Sequence, residues 1–403
     1  MNHAILHMDL DTFFVSVERL NNRELIGKPI LIGGTSDRGV VASCSYEARK
    51  FGIHSAMPMK LARSLCPEAI VVRGNSADYT KHSRIVTQII QEHVPVLEKS
   101  SIDEFYADLT GMDKFFGCLQ IASELRQRVM KESGLPISFG LSQNKTVSKI
   151  ATGQAKPNNQ LQVPYGHEKA FLAPLSVRKI PMVGEKTHNK LISLGVRKIQ
   201  TLQEMSVDLM ERAFGQNGIT IWNKANGIDR SPVVQYSERK SISTERTFDR
   251  DTIDVVKLKG IITAMAENLA FQLRRGEKLT ACVTMKIRYS DFNTYTMQKR
   301  IPYTGADHVL IPLALELFDK LYNKRLLVRL IGVRFSHLVN GFHQINMFDD
   351  KTELLDLYHA MDRIRDRYGD RSVLRVSGME ARTISRFNPF TGEPPPLLAN
   401  RRQ

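Results

Sequence analysis

Cysteine is scarce in this chain, and what there is has no pattern. Four occur in 403 residues, Cys44, Cys66, Cys118 and Cys282, widely separated and without CxxC spacing. That argues against a disulfide framework or a thiolate zinc site and fits reduced thiols in a cytoplasmic protein. No run is long and apolar enough to span a bilayer. The first residues lack the basic segment and apolar stretch of a secretory signal, so no membrane association is expected. The 11 histidines, His3 and His7 included, show no metal-ligand spacing. Internal repeats are absent, and the one biased tract is Pro394-Pro395-Pro396. Acid is in deficit: 42 Asp and Glu stand against 57 Lys and Arg, a formal net charge of +15. Such a balance points to a polyanion, nucleic acid before membrane, unless the basic face is merely solvated. The length allows two to four domains.

The acids that are present gather in two places. Ser100-Ser101-Ile102-Asp103-Glu104-Phe105-Tyr106-Ala107-Asp108 sets two adjacent carboxylates at the start of an alternating, strand-like run. Ala4-Ile5-Leu6-His7-Met8-Asp9 is a short apolar run ending in acid. Side by side, these strands bring Asp9, Asp103 and Glu104 together. Hard carboxylate oxygens suit Mg²⁺, which keeps waters and substrate phosphates among its ligands. Three acids can hold two such ions about 3.5–4 Å apart, the arrangement for in-line phosphoryl transfer. The plainer alternative is two solvated strand ends.

In chain order, Ile5–Asp9 predicts a strand, followed by a helix with Phe13, Phe14, Val17 and Leu20 inward. Strands follow at Pro29–Gly33 and Val40–Cys44, then short helices at Ser45–Phe51 and Pro58–Leu65. A helix is expected over Ser76–His93, with Tyr79, Ile85, Ile89 and Val94 near one face. After the acidic strand, Leu119, Ala122, Leu125 and Val129 pattern a helix stopped by Gly134. A strand at Ile137–Leu141 and a helix at Asn144–Ala155 complete an α+β region over residues 1–165, interrupted by an insertion at about 20–76. Short helices follow from about 166. Ile180-Pro181-Met182-Val183-Gly184 leading into Leu191 and Val196 resembles a helix-hairpin-helix, or else an ordinary helical hairpin; the former presents backbone N–H groups to a DNA phosphate. Arg230–Lys240 reads as a linker. Four strands, Ser241–Phe248, Ala281–Tyr289, Thr294–Ile301 and Leu330–Ser336, enclose helices at about 252–275 and 309–322. Val283, Met285 and Ile287 share one strand face, Thr284, Lys286 and Arg288 the other, a cationic surface for a DNA backbone or for solvent. A last helix places Leu354, Tyr358, Met361 and Ile364 on one face up to Gly369, and residues 387–403 look disordered.

Four motifs, His7-Met8-Asp9-Leu10-Asp11-Thr12-Phe13-Phe14, Tyr46-Glu47-Ala48-Arg49-Lys50-Phe51-Gly52, Ser101-Ile102-Asp103-Glu104 and Lys156-Pro157-Asn158, together resemble the Y-family of translesion DNA polymerases over about residues 1–340. The resemblance implies a right-hand architecture with a ferredoxin-like palm (1–19 and 77–165), small fingers (20–76), a helical thumb with a helix-hairpin-helix (166–232), a linker (233–240) and an α/β little finger (241–339). Residues 340–403 would be a clamp-binding linker, a helix and a tail. It implies that Asp9, Asp103 and Glu104, with the backbone carbonyl of Leu10, hold two Mg²⁺ ions, and that Asp11 and Asp108 are structural neighbours. Ser43, Tyr46, Arg49 and Lys156 would grip the triphosphate; Tyr46 and Arg49, three apart, share a helix face. Phe14 would be the steric gate against a 2′-hydroxyl, with Phe13 in the core. Small Ala42, Ser43 and Ala56 imply a roomy lid over the nascent base pair. Gly184, Lys240, Ser241, Ser243, Arg246, Lys286 and Arg288 are candidate DNA contacts.

Gln344-Ile345-Asn346-Met347-Phe348 resembles the clamp-binding peptide of bacterial polymerases, with Gln344 as the polar contact and Met347 and Phe348 as apolar anchors. Met347 replaces the usual Leu, and Met182 the usual first hairpin Gly. The implied function is low-fidelity, template-directed DNA synthesis past damaged bases, with primer-template DNA, deoxynucleoside triphosphates and a sliding clamp as partners and a monomeric chain. No acidic cluster suggests proofreading. The alternatives are a nucleotidyl cyclase on a similar palm, disfavoured by the gate and the basic C-terminal half, and a non-catalytic DNA-binding relative, disfavoured by the intact acid triad.

Overall fold

The computed structural model describes residues 3–112, 117–341, 352–369 and 372–379. They form two compact units that divide between Ser237 and Glu238, inside the expected linker.

The first unit is built on a five-stranded sheet in the order Val96–Lys99, Glu104–Asp108, Ile5–Leu10, Ile137–Ser142, Gln160–Gln162. Its first four members are mutually antiparallel. With helices Ser76–Gln91 and Cys118–Ser133 in the crossovers, this is the βαββαβ connectivity of a ferredoxin-like palm. Ile5–Leu10 lies in the middle and is buried along nearly its whole length, so it reads as apolar rather than alternating. Leu6, Met8, Phe105, Phe139, Val86 and Val129 share one core. Helix Lys145–Ala155, capped by the Asn144 side chain on the Val147 N–H at 3.0 Å, lies against Ile137–Ser142. Gly140 permits this: a Cβ there would stand 2.2 Å from the Ser148 carbonyl oxygen.

Most expected elements are present, with local differences. Leu20 and Ile85 point outward, while Val15 and Val86 are fully buried. The helical phase is set by the sheet rather than by the largest side chains. Strands Ile70–Val72, Val96–Lys99 and Gln160–Gln162 were not expected; three or four residues are too few to show a period. In the insertion, Ile30–Gly33 pairs with Val41–Cys44 antiparallel and Ile70–Val72 parallel. Leu31, Val41, Ala48, Met59 and the buried thiols of Cys44 and Cys66 fill its core. Helices Glu185–Ser193, Ile199–Glu204, Val207–Phe214 and Gln216–Ala225 follow and enclose Leu191, Leu202, Met210 and Ile221.

The second unit has a four-stranded antiparallel sheet in the order Thr294–Thr304, Lys278–Tyr289, Val328–Asn340, Ser241–Thr252. Helices Val255–Arg275 and Asp307–Leu321 cover one face over Val283, Met285, Ile287, Val333 and Phe335. The connectivity is again βαββαβ, but here the first strand is at the edge. Helix Thr352–Tyr368 also belongs to this unit. Its inward face is not the expected apolar one: Tyr358, Asp362 and Arg365 are buried, while Leu354 and Ile364 are exposed. The cause is charge pairing with helix Val255–Arg275, where Arg365 meets Glu267 at 2.6 Å and Asp362 meets Arg274 at 2.6 Å.

Candidate active site

The sheet register places the acids. Asp9 stands opposite Glu104 across an antiparallel pair, and the Leu10 N–H donates to the Asp103 carbonyl at 3.0 Å. Asp9, Asp103 and Glu104 therefore share one end of two adjacent strands, as expected. Asp108 sits opposite Ile5 at the other end, so it is no neighbour of the site. Ser101 donates to the Asp103 carboxylate at 2.5 Å and accepts the Glu104 N–H at 3.0 Å, fixing the bend that carries both acids.

Two lysines face this cluster. Lys156 Nζ lies 2.5 Å from Asp9 Oδ1, and Lys149 Nζ lies 2.5 Å from Glu104 Oε2. Burial pushes the Asp9 carboxyl up to about 7 against the pull of Lys156, and the Asp103 and Glu104 charges push it the same way. Among the described residues no three His, Cys, Asp or Glu side chains close into a preformed metal cage. The donor set nevertheless fits magnesium: partly exposed carboxylates, crowded enough to repel one another, already hold cations on their oxygens. Mg²⁺ is ordinarily held by a few carboxylates plus waters and phosphates, not by a closed cage.

Lys149 had escaped sequence reading. The signal was present, since Lys145, Lys149, Thr152 and Lys156 recur at helical spacing. Lys145 reaches Glu98 at 2.7 Å, and Thr152 donates to the His7 carbonyl at 3.0 Å. His7 is buried and its pKa is held well below the usual value by that burial, and by Lys149, Lys156 and Lys145, so the sheet interior adds no charge.

Asp11 is the hub of the adjoining triphosphate candidates. It is buried and accepts from Tyr46 Oη at 3.2 Å, Ser138 Oγ at 2.8 Å and the Asn158 N–H at 2.7 Å. It thereby joins the Tyr46 helix to the Lys156 segment. The Arg49 guanidinium lies over the Tyr46 ring at 4.9 Å. Ser43 is half-buried on Val41–Cys44. The helix Tyr46–Arg49 has only four residues, so its N-terminus adds little; the attraction for an anion rests on side chains. Phe13 is fully buried, whereas Phe14 is half-buried and stacks on Tyr79 at 4.3 Å and 18°. Tyr79, expected only as a core residue, is held by Glu18 at 2.6 Å and backs the Phe14 ring.

The DNA candidates divide between the units. Gly184 caps helix Glu185–Ser193, and Met182 adopts φ +80°, the left-handed conformation that explains why glycine is usual there. In the second unit Ser241, Ser243, Lys286 and Arg288 lie on the face away from the helices, beside Arg334. Arg246 lies on the opposite face, 5.9 Å from the Phe248 ring centroid, because strand parity separates it from Ser243. Lys286 pairs with Glu245 at 2.8 Å across Gly332, where a Cβ would stand 2.7 Å from Glu245 Cγ. Lys240 precedes the edge strand. Gln344, Met347 and Phe348 lie outside the described residues.

Residues 8–153 match the impB/mucB/samB family, residues 239–347 its C-terminal domain, and residues 178–229 the thumb domain of DNA polymerase-iota. A solved Y-family DNA polymerase chimera superposes with a TM-score of 0.74 at 25% identity, covering 84% of this chain and 100% of the other. The chain belongs to the Y-family of translesion DNA polymerases and is a template-directed enzyme of that class. Within the family it is of the bacterial DNA polymerase IV type. A protein of that name from Dehalococcoides mccartyi is 40% identical over 92% of this chain and 96% of its own. Another from Desulfatibacillum aliphaticivorans is 36% identical over 92% and 96%. Among the described residues no helix is long and apolar enough to cross a membrane.

Proposed function

We propose that Asp9, Asp103 and Glu104, with the Leu10 carbonyl, hold two Mg²⁺ ions and form the catalytic centre for adding deoxynucleotides to a primer 3′ end. The observation that supports this most directly is the register, which sets Asp9 opposite Glu104 with Asp103 bonded to Leu10. The chemistry that bound Mg²⁺ supplies is acidification of the primer hydroxyl and neutralisation of the leaving pyrophosphate.

The chain's own groups do the rest. Lys149 and Lys156 keep the acids poised. Arg49, Tyr46, Ser43 and Lys156 bind the incoming triphosphate, and Asp11 aligns Tyr46 with Lys156. The Phe14 ring, backed by Tyr79, excludes a 2′-hydroxyl. Gly184, Lys240, Ser241, Ser243, Lys286 and Arg288 contact template or primer phosphates. Arg246, on the other face of its strand, is a contact only at the sheet edge. Gln344, Met347 and Phe348 dock a sliding clamp, and the chain works in the cytoplasm. In primer extension, Glu104→Ala is expected to give no product while retaining DNA affinity, because phosphate contacts elsewhere supply the grip. Near-normal extension by that variant would overturn the metal assignment. Met347→Ala with Phe348→Ala should lose clamp-stimulated synthesis and keep distributive synthesis; undiminished clamp binding would overturn the docking role.

A further inference from the structure

Helix Thr352–Tyr368 docks on its unit by the wrong face for an amphipathic helix. Tyr358, Asp362 and Arg365 turn inward, the last two into ion pairs with Arg274 and Glu267. Five of its apolar residues form a separate stripe about a quarter-turn away. Leu354, Leu357, Met361, Ile364 and Tyr368 recur at spacings of three, four, three and four, the a and d positions of a heptad seam. Leu357 is 51% exposed and Tyr368 68%. Such a stripe, left on the surface of an ordered helix, marks an interaction surface.

Charge identifies what covers it. The free flank is polarised: Glu353 stands in the first turn and Arg367 in the last, while Asp362, Arg365 and Asp366 pair with helix Val255–Arg275. Glu353, Ala360 and Arg367 recur every seven residues along the free flank of the stripe. A parallel copy would set like charges together. An antiparallel copy centred on Met361 brings Leu354 to Tyr368 and Leu357 to Ile364. Each Glu353 then faces the Arg367 of the second copy, and small Ala360 lies at the close approach. Both contacts are repeated by the two-fold axis, so the pairing closes on itself.

We propose that this stripe is the self-association surface of the chain, an antiparallel two-helix contact between two copies. It departs from the expectation of a monomer. Two helices meeting along five seam positions bury less than about 1,200 Å², which places the dimer among weak, concentration-dependent associations.

Sedimentation of the full chain without DNA, from low to high micromolar concentration, tests this. The wild type should move from monomer to dimer, and Leu357→Asp should remain monomeric with distributive primer extension unchanged, which shows that it folds. Glu353→Arg alone and Arg367→Glu alone should each weaken self-association by at least about tenfold. An equimolar mixture of the two should associate again, since every seam flank then pairs opposite charges. A wild-type chain that stays monomeric throughout, or a mixture no more associated than its components, would overturn the proposal.

Discussion

Among the described residues two dense clusters of charge differ in their balance. At the palm sheet end, Asp9, Asp11, Asp103 and Glu104 face Lys149 and Lys156. Acid is in excess, and the Asp9 carboxyl is pushed up to about 7. Behind the second sheet, Arg274, Arg365 and Arg375 meet Glu267, Asp307 and Asp362 at 2.6 to 3.4 Å. There, three cations balance three anions, and Asp307 and Arg365 are buried. The first cluster is open and under-compensated. The second is neutral, with Asp307 and Arg365 enclosed and paired and Arg375 at its rim. Density of charge alone does not mark a site; the imbalance does.

Deleting one group from each cluster should separate them most sharply. Asp103→Ala is expected to lower primer extension by more than about 10²–10³-fold, the scale on which a single contact to developing charge matters. Its melting temperature should hold or rise, because a mutually repelling carboxylate is gone. Arg365→Ala should do the reverse, leaving Glu267 buried without its cation, while Asp362 keeps Arg274, at a cost of about 3–5 kcal/mol. Urea unfolding followed at the second unit measures that loss. If Asp103→Ala destabilises as much as Arg365→Ala, the distinction between open and closed clusters fails.

The two adjacent phenylalanines repeat the contrast on a smaller scale. Phe13 is core, whereas Phe14 is half-buried against Tyr79. Phe14→Ala should relax discrimination between deoxy- and ribonucleotides by about 10–200-fold with little loss of stability. Single-nucleotide insertion of each sugar reads it. An unchanged ratio would make Phe14 another core residue.

Much of this was legible in the sequence, and the exceptions share a cause. Asp9, Asp103 and Glu104 stood at the ends of strand patterns, so pairing those strands was enough to bring them together. Asn144, Gly134 and the period-two run Val283–Arg288 fixed their elements locally. What stayed hidden depends on partners distant in sequence. Lys149 reads as surface charge until the helix lies on the sheet, and Tyr79 as core until Phe14 stacks on it. Arg365 looked like the polar side of a helix whose apolar side was expected to dock. Only Glu267 and Arg274 on Val255–Arg275, which pair with Arg365 and Asp362, show that the polar side is the buried one.

Asp229 stands between the two kinds of cluster and gives the finest test. Among the described residues no lysine or arginine forms an ion pair with it; Thr146 Oγ1 donates to it at 2.6 Å, Ser231 Oγ at 2.6 Å and the Ser231 N–H at 3.0 Å. Burial on its own would raise its pKa, but the donors on Ser231 and Thr146 outweigh burial and hold it below the ordinary value of 3.8. A carboxylate depressed on folding adds stability above its unfolded pKa, and that stability is lost as pH falls through the folded value. Asp229→Asn should therefore cost about 1–2 kcal/mol at neutral pH. The gap to the wild type should narrow as the pH drops below about 4, where the unfolded state takes up the proton first, and close below the folded value, where both states are protonated. Chemical unfolding of both chains at neutral and acid pH measures it. A gap that persists undiminished in acid would mean that Asp229 acts through shape rather than charge, and that hydroxyl and amide donors do not close a cluster as arginines do.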